Sequence, residues 1–285
     1  MDFKETKRVL LLVLALNLVV AGAKILLGFF SGALSILSDG IHSLFDGMTN
    51  VVGYIGIKIA EKPADESHPY GHRKYEAIAS QVILIFLIIT AWEIIGSVFE
   101  RIFSSSAIQP EINLFTFLIL FLCVVIDAFT ARYEYKKGEE LKSTILKADA
   151  LHTKSHYVTT GAVILGALLI KIGLPAIVDS IIALFVVAFV IELAFEIFKE
   201  TSAVLSDKAL LDIEKIKKIG ESVAGVKSCH KIRTRGDANH VFLDIHIIVA
   251  PDIFLGEAHD ICHKVCDQLQ KEIPEIKDIT VHPEP

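Results

Sequence analysis

Ser38-Asp39-Gly40-Ile41-His42-Ser43-Leu44-Phe45-Asp46 and Ala148-Asp149-Ala150-Leu151-His152-Thr153-Lys154-Ser155-His156 are the two stretches on which the reading of this chain turns. Each sets two metal-ligating side chains four residues apart, His42 with Asp46 and His152 with His156, inside a strongly apolar run. In an α-helix that spacing stacks both side chains on one face, so each stretch is a two-toothed clamp. Together they offer the four ligands of a tetrahedral zinc-type site. Ionisable groups at bilayer depth cost a few kcal/mol or more and mark an ion or proton pathway with a nearby partner. Asp39 and Asp149 each precede their histidine by three residues and lie on an adjacent part of the same face. They read as acceptors that fix a histidine tautomer from behind, or equally as helix caps or interhelical hydrogen-bonding groups.

The rest of the composition makes those runs membrane spans. Hydrophobic residues form 53% of the 285, and the mean hydropathy is +0.55, above what a soluble domain carries. Six spans are expected, at 9–30, 33–58, 77–100, 113–133, 146–171 and 174–198, each near or above the roughly 20 residues a crossing helix needs. The first is too long an apolar run for a signal-peptide core and has no small-residue cleavage site after it, so it is expected to be retained. From about residue 206 the charges are mixed and the apolar runs short. The expected organisation is therefore a six-helix transmembrane domain over 1–205 and a soluble domain over 206–285.

Basic residues set the orientation. Lys4, Lys7 and Arg8 precede the first span, Lys58, Lys62, Arg73 and Lys74 lie between the second and third, and Arg132, Lys136, Lys137, Lys142 and Lys147 surround the junction of the fourth and fifth. The remaining connections carry little beyond Arg101 and Lys171. Positive-inside bias then puts both termini in the cytoplasm, of a protein embedded in the lipid bilayer of an inner or plasma membrane. The net charge of −6 comes with no basic stripe, so no nucleic-acid partner is expected. Of four cysteines, Cys123 falls in a span and Cys229, Cys262 and Cys266 in the cytoplasmic region, where a reducing compartment argues against disulfides. Cys262 and Cys266, with His259 and His263, are either a metal cluster or the packed inner face of a helix, and packing is the favoured reading.

The two opening phrases resemble the second- and fifth-span signatures of the cation diffusion facilitator family, as does the plan of six spans with a short C-terminal domain. The likeness covers nearly the whole chain. It implies a homodimer that exports a divalent metal in exchange for inward-moving protons, a transporter and not an enzyme, with His42, Asp46, His152 and His156 as the transport site. The departure is His156, where most similar members have Asp. Three neutral imidazoles and one carboxylate make a nitrogen-rich site of formal charge −1. Imidazole suits zinc, cobalt, nickel, copper and iron, while all-oxygen shells favour magnesium, calcium and manganese. Zn²⁺ is the leading expectation for substrate and bound divalent ion, Mn²⁺ is less favoured, and Fe²⁺, Co²⁺ and Cd²⁺ stay open. A histidine ligates only when neutral, so protons and metal compete for one site and exchange follows.

The loop after the second span reads Asp65-Glu66-Ser67-His68-Pro69-Tyr70-Gly71-His72-Arg73-Lys74. Asp65, His68 and His72 correspond to the loop metal site of the family. From the residues alone the case is even, because Pro69 and Gly71 break a helix and the spacing of four loses its meaning. Lys74 and Asp207 correspond to the family's dimer-associated charge pair.

In the C-terminal region the pattern predicts helix 211–224, strand 228–235, strand 240–249, helix 256–272 and strand 277–282, an αββαβ order. That order implies a ferredoxin-like layer with a small antiparallel sheet. The region holds six of the eleven histidines, His230, His240, His246, His259, His263 and His282. The resemblance carries His230, His259 and Glu284, together with His246, His282 and Glu284, onto a two-metal dimer site, with Glu284 in place of the more usual Asp. Two other classes compete with the transporter reading. A membrane-embedded metalloenzyme would put its histidines at the cytoplasmic ends of helices, and a membrane-anchored metal sensor would need no ligands at mid-span.

Overall fold

The computed structural model describes residues 2–31, 34–103, 114–175 and 177–285. The chain divides into two compact units, Met1–Thr201 and Ser202–Pro285.

The first unit contains six long helices: α1 (Phe3–Ser31), α2 (Leu34–Ala60), α3 (Lys74–Phe103), α4 (Leu114–Glu140), α5 (Thr144–Lys171) and α6 (Ile177–Leu205). Each overlaps one expected span and most overrun it, α4 and α6 furthest at their C-terminal ends, because the charged residues flanking the apolar runs continue the helix. Among the described residues three stretches are long and apolar enough to cross a membrane by length and composition, Phe3–Leu26, Lys74–Gly96 and Ile181–Leu205. They belong to α1, α3 and α6. Polar residues interrupt the apolar runs of α2, at Asp39, His42, Asp46 and Asn50, and of α5, at Asp149, His152, Lys154 and His156, while α4 carries Asp127 within its run and Glu134 after it.

Packing follows from what each helix offers its neighbours. Val9, Leu10, Val13, Ile57, Ile83, Leu87, Ile145, Leu146, Val190 and Ile197 form one buried cluster drawn from α1, α2, α3, α5 and α6. Large apolar side chains also face outward, with Trp92, Phe129 and Phe185 exposed by 75%, 73% and 74%, as a lipid-facing surface requires. Close approach needs small residues. A Cβ on Gly40 would sit 2.7 Å from the Ile25 backbone nitrogen, and one on Gly56 would collide with the Ala79 Cβ, so α2 packs against α1 and α3 through glycine.

One end of the bundle is charged. Lys7 at the start of α1 pairs with Glu61 just past α2 at 2.6 Å. Lys137 near the end of α4 meets Glu5 at 3.0 Å, and Lys147 at the start of α5 meets Glu200 near the end of α6 at 3.0 Å. Such partly exposed pairs contribute little individually, and they sit at the end that the basic residues predict to be cytoplasmic. The start of α5 is held from α3: the Glu76 carboxylate accepts from the Ser143 hydroxyl at 2.7 Å and from the Ile145 amide at 3.3 Å.

The second unit has α7 (Ile213–Glu221), β1 (Ser228–Asp237), β2 (His240–Ile248), α8 (Leu255–Glu272) and β3 (Ile276–Glu284), the αββαβ order expected. Asp212 caps α7, its carboxylate accepting from the amides of Glu214 and Lys215. The strand order is β1-β2-β3. One expectation is corrected: β1 pairs antiparallel with β2, but β3 pairs parallel with β2, so the sheet is mixed. The reason is the connection, because α8 crosses over between β2 and β3 and a helical crossover returns the chain in the same direction. On β2 Val241, Leu243, Ile245 and Ile247 are buried and alternate with partly exposed His240, Asp244 and His246. The buried row packs with Ile216, Val265, Leu269 and Ile276, which leaves the histidine row on the open face.

Gly56→Ala is expected to destabilise the transmembrane unit by about 1–3 kcal/mol through overpacking against Ala79. Thermal unfolding of the full chain in detergent checks this, and Ala79→Gly in the same chain restores the midpoint.

Candidate metal sites

Three places carry the residues singled out by sequence. On α5, His152 is buried and His156 half-buried, and their Nε2 atoms stand 3.4 Å apart. The rings meet edge to face with centroids 4.6 Å apart. Two ring nitrogens at that separation are spaced as two ligands of one ion, given metal–nitrogen bonds of about 2.0–2.1 Å. The pair borders a cavity of about 40 Å³ that Asn17, Lys24, Ser43, Thr49 and Asp127 also line. That is room for a small ion with a water molecule. His42 and Asp46 lie on α2, the helix that supplies Ser43 and Thr49 to this cavity. The side chains of Asp39, His42 and Asp46 themselves lie outside the described residues.

Sequence reasoning missed the polar groups around this pair. Lys24 of α1 is buried and its ammonium donates to the Ser43 hydroxyl at 3.0 Å. Asn17 donates its amide to the Asn50 carbonyl at 2.9 Å, and the Asn50 amide donates to Asp149. Asp149 thus reaches across to α2, in the interhelical hydrogen bonding that is one of the readings open to it. Single asparagines, lysines and acids in apolar runs carry no spacing signature, and their charge or polarity at span depth was the only available signal.

The loop between α2 and α3 brings Asp65, His68 and His72 together, with one ligand atom from each lying within 4.8 Å of the others. The turn does this without a helix. Asp65 Oδ1 accepts from the amides of Ser67 and His68 at 3.0 and 2.7 Å and from the Ser67 hydroxyl at 2.8 Å, and Gly71 takes a φ of 81°. That conformation favours glycine. The imidazole centroids of His68 and His72 are 4.2 Å apart, and His72 Nε2 is 3.5 Å from Asp65 Oδ2. The Ser67 hydroxyl first, then the His68 amide, hold the Asp65 carboxyl down at about 2. Since this folded value lies below the ordinary carboxylate range, the associated stabilisation is present above that range and is lost only as pH falls toward 2. The carboxylate is therefore available to a cation at any cellular pH.

In the second unit the strands build the cluster by register. His230 pairs with His246 across β1 and β2, and His246 with His282 across β2 and β3. Three imidazoles thus lie in a row, with Glu284 two residues beyond His282 on the same face. Glu284 sits 3.0 Å from His230 Nε2, 2.7 Å from His246 Nδ1 and 3.8 Å from His282 Nε2. His230, His246 and Glu284 are close enough to share an ion. The His246 hydrogen bond first, opposed by partial burial and aided by Lys231 and His230, lowers the Glu284 carboxyl to about 2. His259 lies instead on α8, its Nε2 3.0 Å from that of His263.

Burial raises the thiols of Cys229, Cys262 and Cys266 above the ordinary range, Cys229 to about 11. Cys229 lies in the apolar cluster and Cys262 packs against it, which suits the packing reading. Lys74 opens α3, and Asp207, with φ of 55°, follows the end of α6.

A bundle of six long, largely apolar helices with a buried histidine contact, and a small mixed sheet with a histidine row, fit a membrane protein that handles metal cations. The chain matches the cation efflux transmembrane domain over residues 10–206 and the cation efflux protein cytoplasmic domain over residues 210–285, and it belongs to the cation diffusion facilitator family of efflux transporters. It is similar to the uncharacterized transporter MJ0449 of Methanocaldococcus jannaschii, 34% identical over 269 residues, with 94% of each chain covered. It is also similar to the manganese efflux system protein MneS of Bacillus subtilis, 29% identical with 100% of this chain and 97% of MneS covered. Among solved structures, the MamM-CTD 215-293 chain matches 25% of this chain and 90% of its own, at 28% identity and a TM-score of 0.24.

Glu284→Gln is expected to weaken Zn²⁺ binding to the full chain by roughly tenfold or more at the cytoplasmic cluster, measured by titration calorimetry. Wild-type binding there should weaken on mild acidification, because imidazoles must be neutral to ligate while Glu284 stays ionised down to about 2.

Proposed function

We propose that this protein exports a divalent transition-metal cation from the cytoplasm in exchange for protons, by alternating access in a homodimer. The observation that carries the reading is the buried His152–His156 pair, its Nε2 atoms 3.4 Å apart beside a polar cavity that α2 also lines. His42 and Asp46 complete a four-ligand transport site with it. Zn²⁺ is the leading substrate on the chemistry of three imidazoles and one carboxylate. Mn²⁺ is the second reading, favoured by the manganese efflux system protein MneS.

Proton coupling follows from competition. Metal loads the site facing the cytoplasm, where imidazoles are neutral, and leaves when the site opens to a more acidic side. Six membrane crossings with both termini cytoplasmic place the loop and the second unit on the loading side. There Asp65, His68 and His72 act as a capture site. His230, His246, His259, His282 and Glu284 bind cytoplasmic metal across the dimer, and Lys74 with Asp207 forms the dimer-associated charge pair. Metal in the cytoplasmic cluster tightens the dimer and, by reciprocal linkage, raises the affinity of the transport-competent state.

Reconstituted vesicles under a pH gradient test this. Asp46→Ala is expected to reduce uptake of Zn²⁺ by roughly 10–100-fold, and flux unchanged by that substitution overturns the site. His156→Asp is expected to raise Mn²⁺ flux relative to Zn²⁺, since an added carboxylate hardens the site. An unaltered ratio contradicts the assignment of selectivity to the fourth ligand.

A further inference from the structure

The transmembrane unit holds a second ionisable cluster that the metal site does not use. Glu134 of α4 and Asp149 of α5 are both 0% exposed. Their carboxyl groups lie within hydrogen-bonding reach of each other. Neither Glu134 oxygen, nor Oδ1 of Asp149, meets a hydrogen-bond donor among the described residues. Two ionised carboxylates buried in contact would repel each other, and the bonds that Asp149 takes from Asn50 and Thr49 leave Glu134 uncompensated. A single proton placed between them satisfies both, because one carboxylic acid then donates to the other carboxylate, as in paired-carboxyl sites generally.

Several charged groups on the packed helices have partners other than this pair. On α4, Lys137 is bound to Glu5 and Glu140. On α5, Lys147 is bound to Glu200, and on α3, Glu76 accepts from Ser143. From α1 comes Lys24, which donates to Ser43, and from α2 come the neutral Thr49 and Asn50. His152 lies one turn beyond Asp149 on α5 and bonds His156.

We propose that Glu134 and Asp149 share one proton, and that this pair is a proton-carrying site of the transport cycle distinct from the metal ligands. The proposal rests on the reading of the protein as a metal-for-proton exchanger. Its link to the metal is structural. Asp149 precedes His152 by three residues on α5, Asn50 follows Asp46 by four on α2, and the Asn50 amide donates directly to Asp149. An ion that clamps α2 to α5 through the four ligands therefore shifts the very contact that holds Asp149 against Glu134. In the metal-loaded state the pair parts and the proton leaves as H⁺ to solvent. In the metal-free state the pair closes on a proton taken from the side to which the site is open. Asn17, donating to Asn50, extends the same chain of hydrogen bonds to α1, so the four groups join α1, α2, α4 and α5.

The test counts protons on the full chain in weakly buffered detergent solution, with Zn²⁺ as the probe. Proton release at saturating Zn²⁺ is measured for wild type, Glu134→Gln and Asp149→Asn. Protons displaced from histidines of every site are common to all three proteins and cancel in the comparison. The expected result is about one proton fewer per transport-site ion in each variant. Difference infrared spectra should show, in wild type at neutral pH, the C=O stretch of a buried carboxylic acid that disappears on adding Zn²⁺ and is missing from Glu134→Gln. Equal proton release by wild type and Glu134→Gln overturns the proposal, as does the absence of that band from wild type. Failure of the exchanger reading is seen separately, as metal flux into wild-type vesicles with no accompanying movement of protons.

Discussion

A charged or polar side chain among apolar helices must find a partner, an ion or a proton, and the arrangement of the transmembrane unit follows from that requirement. Among the described residues, stretches long and apolar enough to cross on composition alone lie in α1, α3 and α6. The polar side chains concentrate on α2, α4 and α5, and what those helices bury is resolved pairwise: His152 against His156, Asn50 against Asp149 and Asp149 against Glu134. Both Glu134 oxygens and Oδ1 of Asp149 find no hydrogen-bond donor among the described residues, a condition that favours binding a proton. Glycine enables the packing, because the approach of α2 to α1 and α3 at Gly40 and Gly56 leaves no room for a Cβ.

The two candidate metal sites outside the bundle are assembled by other backbone devices. In the loop, Asp65 gathers the Ser67 and His68 amides and the chain turns through Gly71, which stacks His68 on His72. In the sheet, cross-strand register places His230, His246 and His282 in a row and brings Glu284 against them. Turn closure and strand register thus each assemble a set of histidines with one carboxylate, and helix spacing brings His152 to His156. Those two carboxylates, Asp65 and Glu284, are held near 2, so both stay ionised across the cellular pH range.

Much of this was legible in the residues. Six apolar runs gave six helices, and the period of two on β2 gave the buried Val241, Leu243, Ile245 and Ile247. The His152–His156 clamp was legible because an i,i+4 spacing has one meaning in a helix. The loop cluster was not, since Pro69 and Gly71 erase that meaning and the turn that replaces it depends on hydrogen bonds to Asp65. The parallel pairing of β3 was misread as antiparallel because strand pattern carries no direction, which the α8 crossover supplies. Glu134 went unnoticed for a related reason. It ends an apolar run beside Arg132 and Lys136 and reads as one of the flanking charges, until the packing of α4 on α5 buries it against Asp149.

The central claim is that one metal ion sits between α2 and α5, held by His42, Asp46, His152 and His156. Anomalous diffraction from crystals of the full chain loaded with Zn²⁺ tests it most directly. The account predicts an anomalous peak bounded by the Nε2 atoms of His152 and His156 on one side and by α2 on the other. Peaks confined to the Asp65 loop and the Glu284 cluster, with none between α2 and α5, would contradict it.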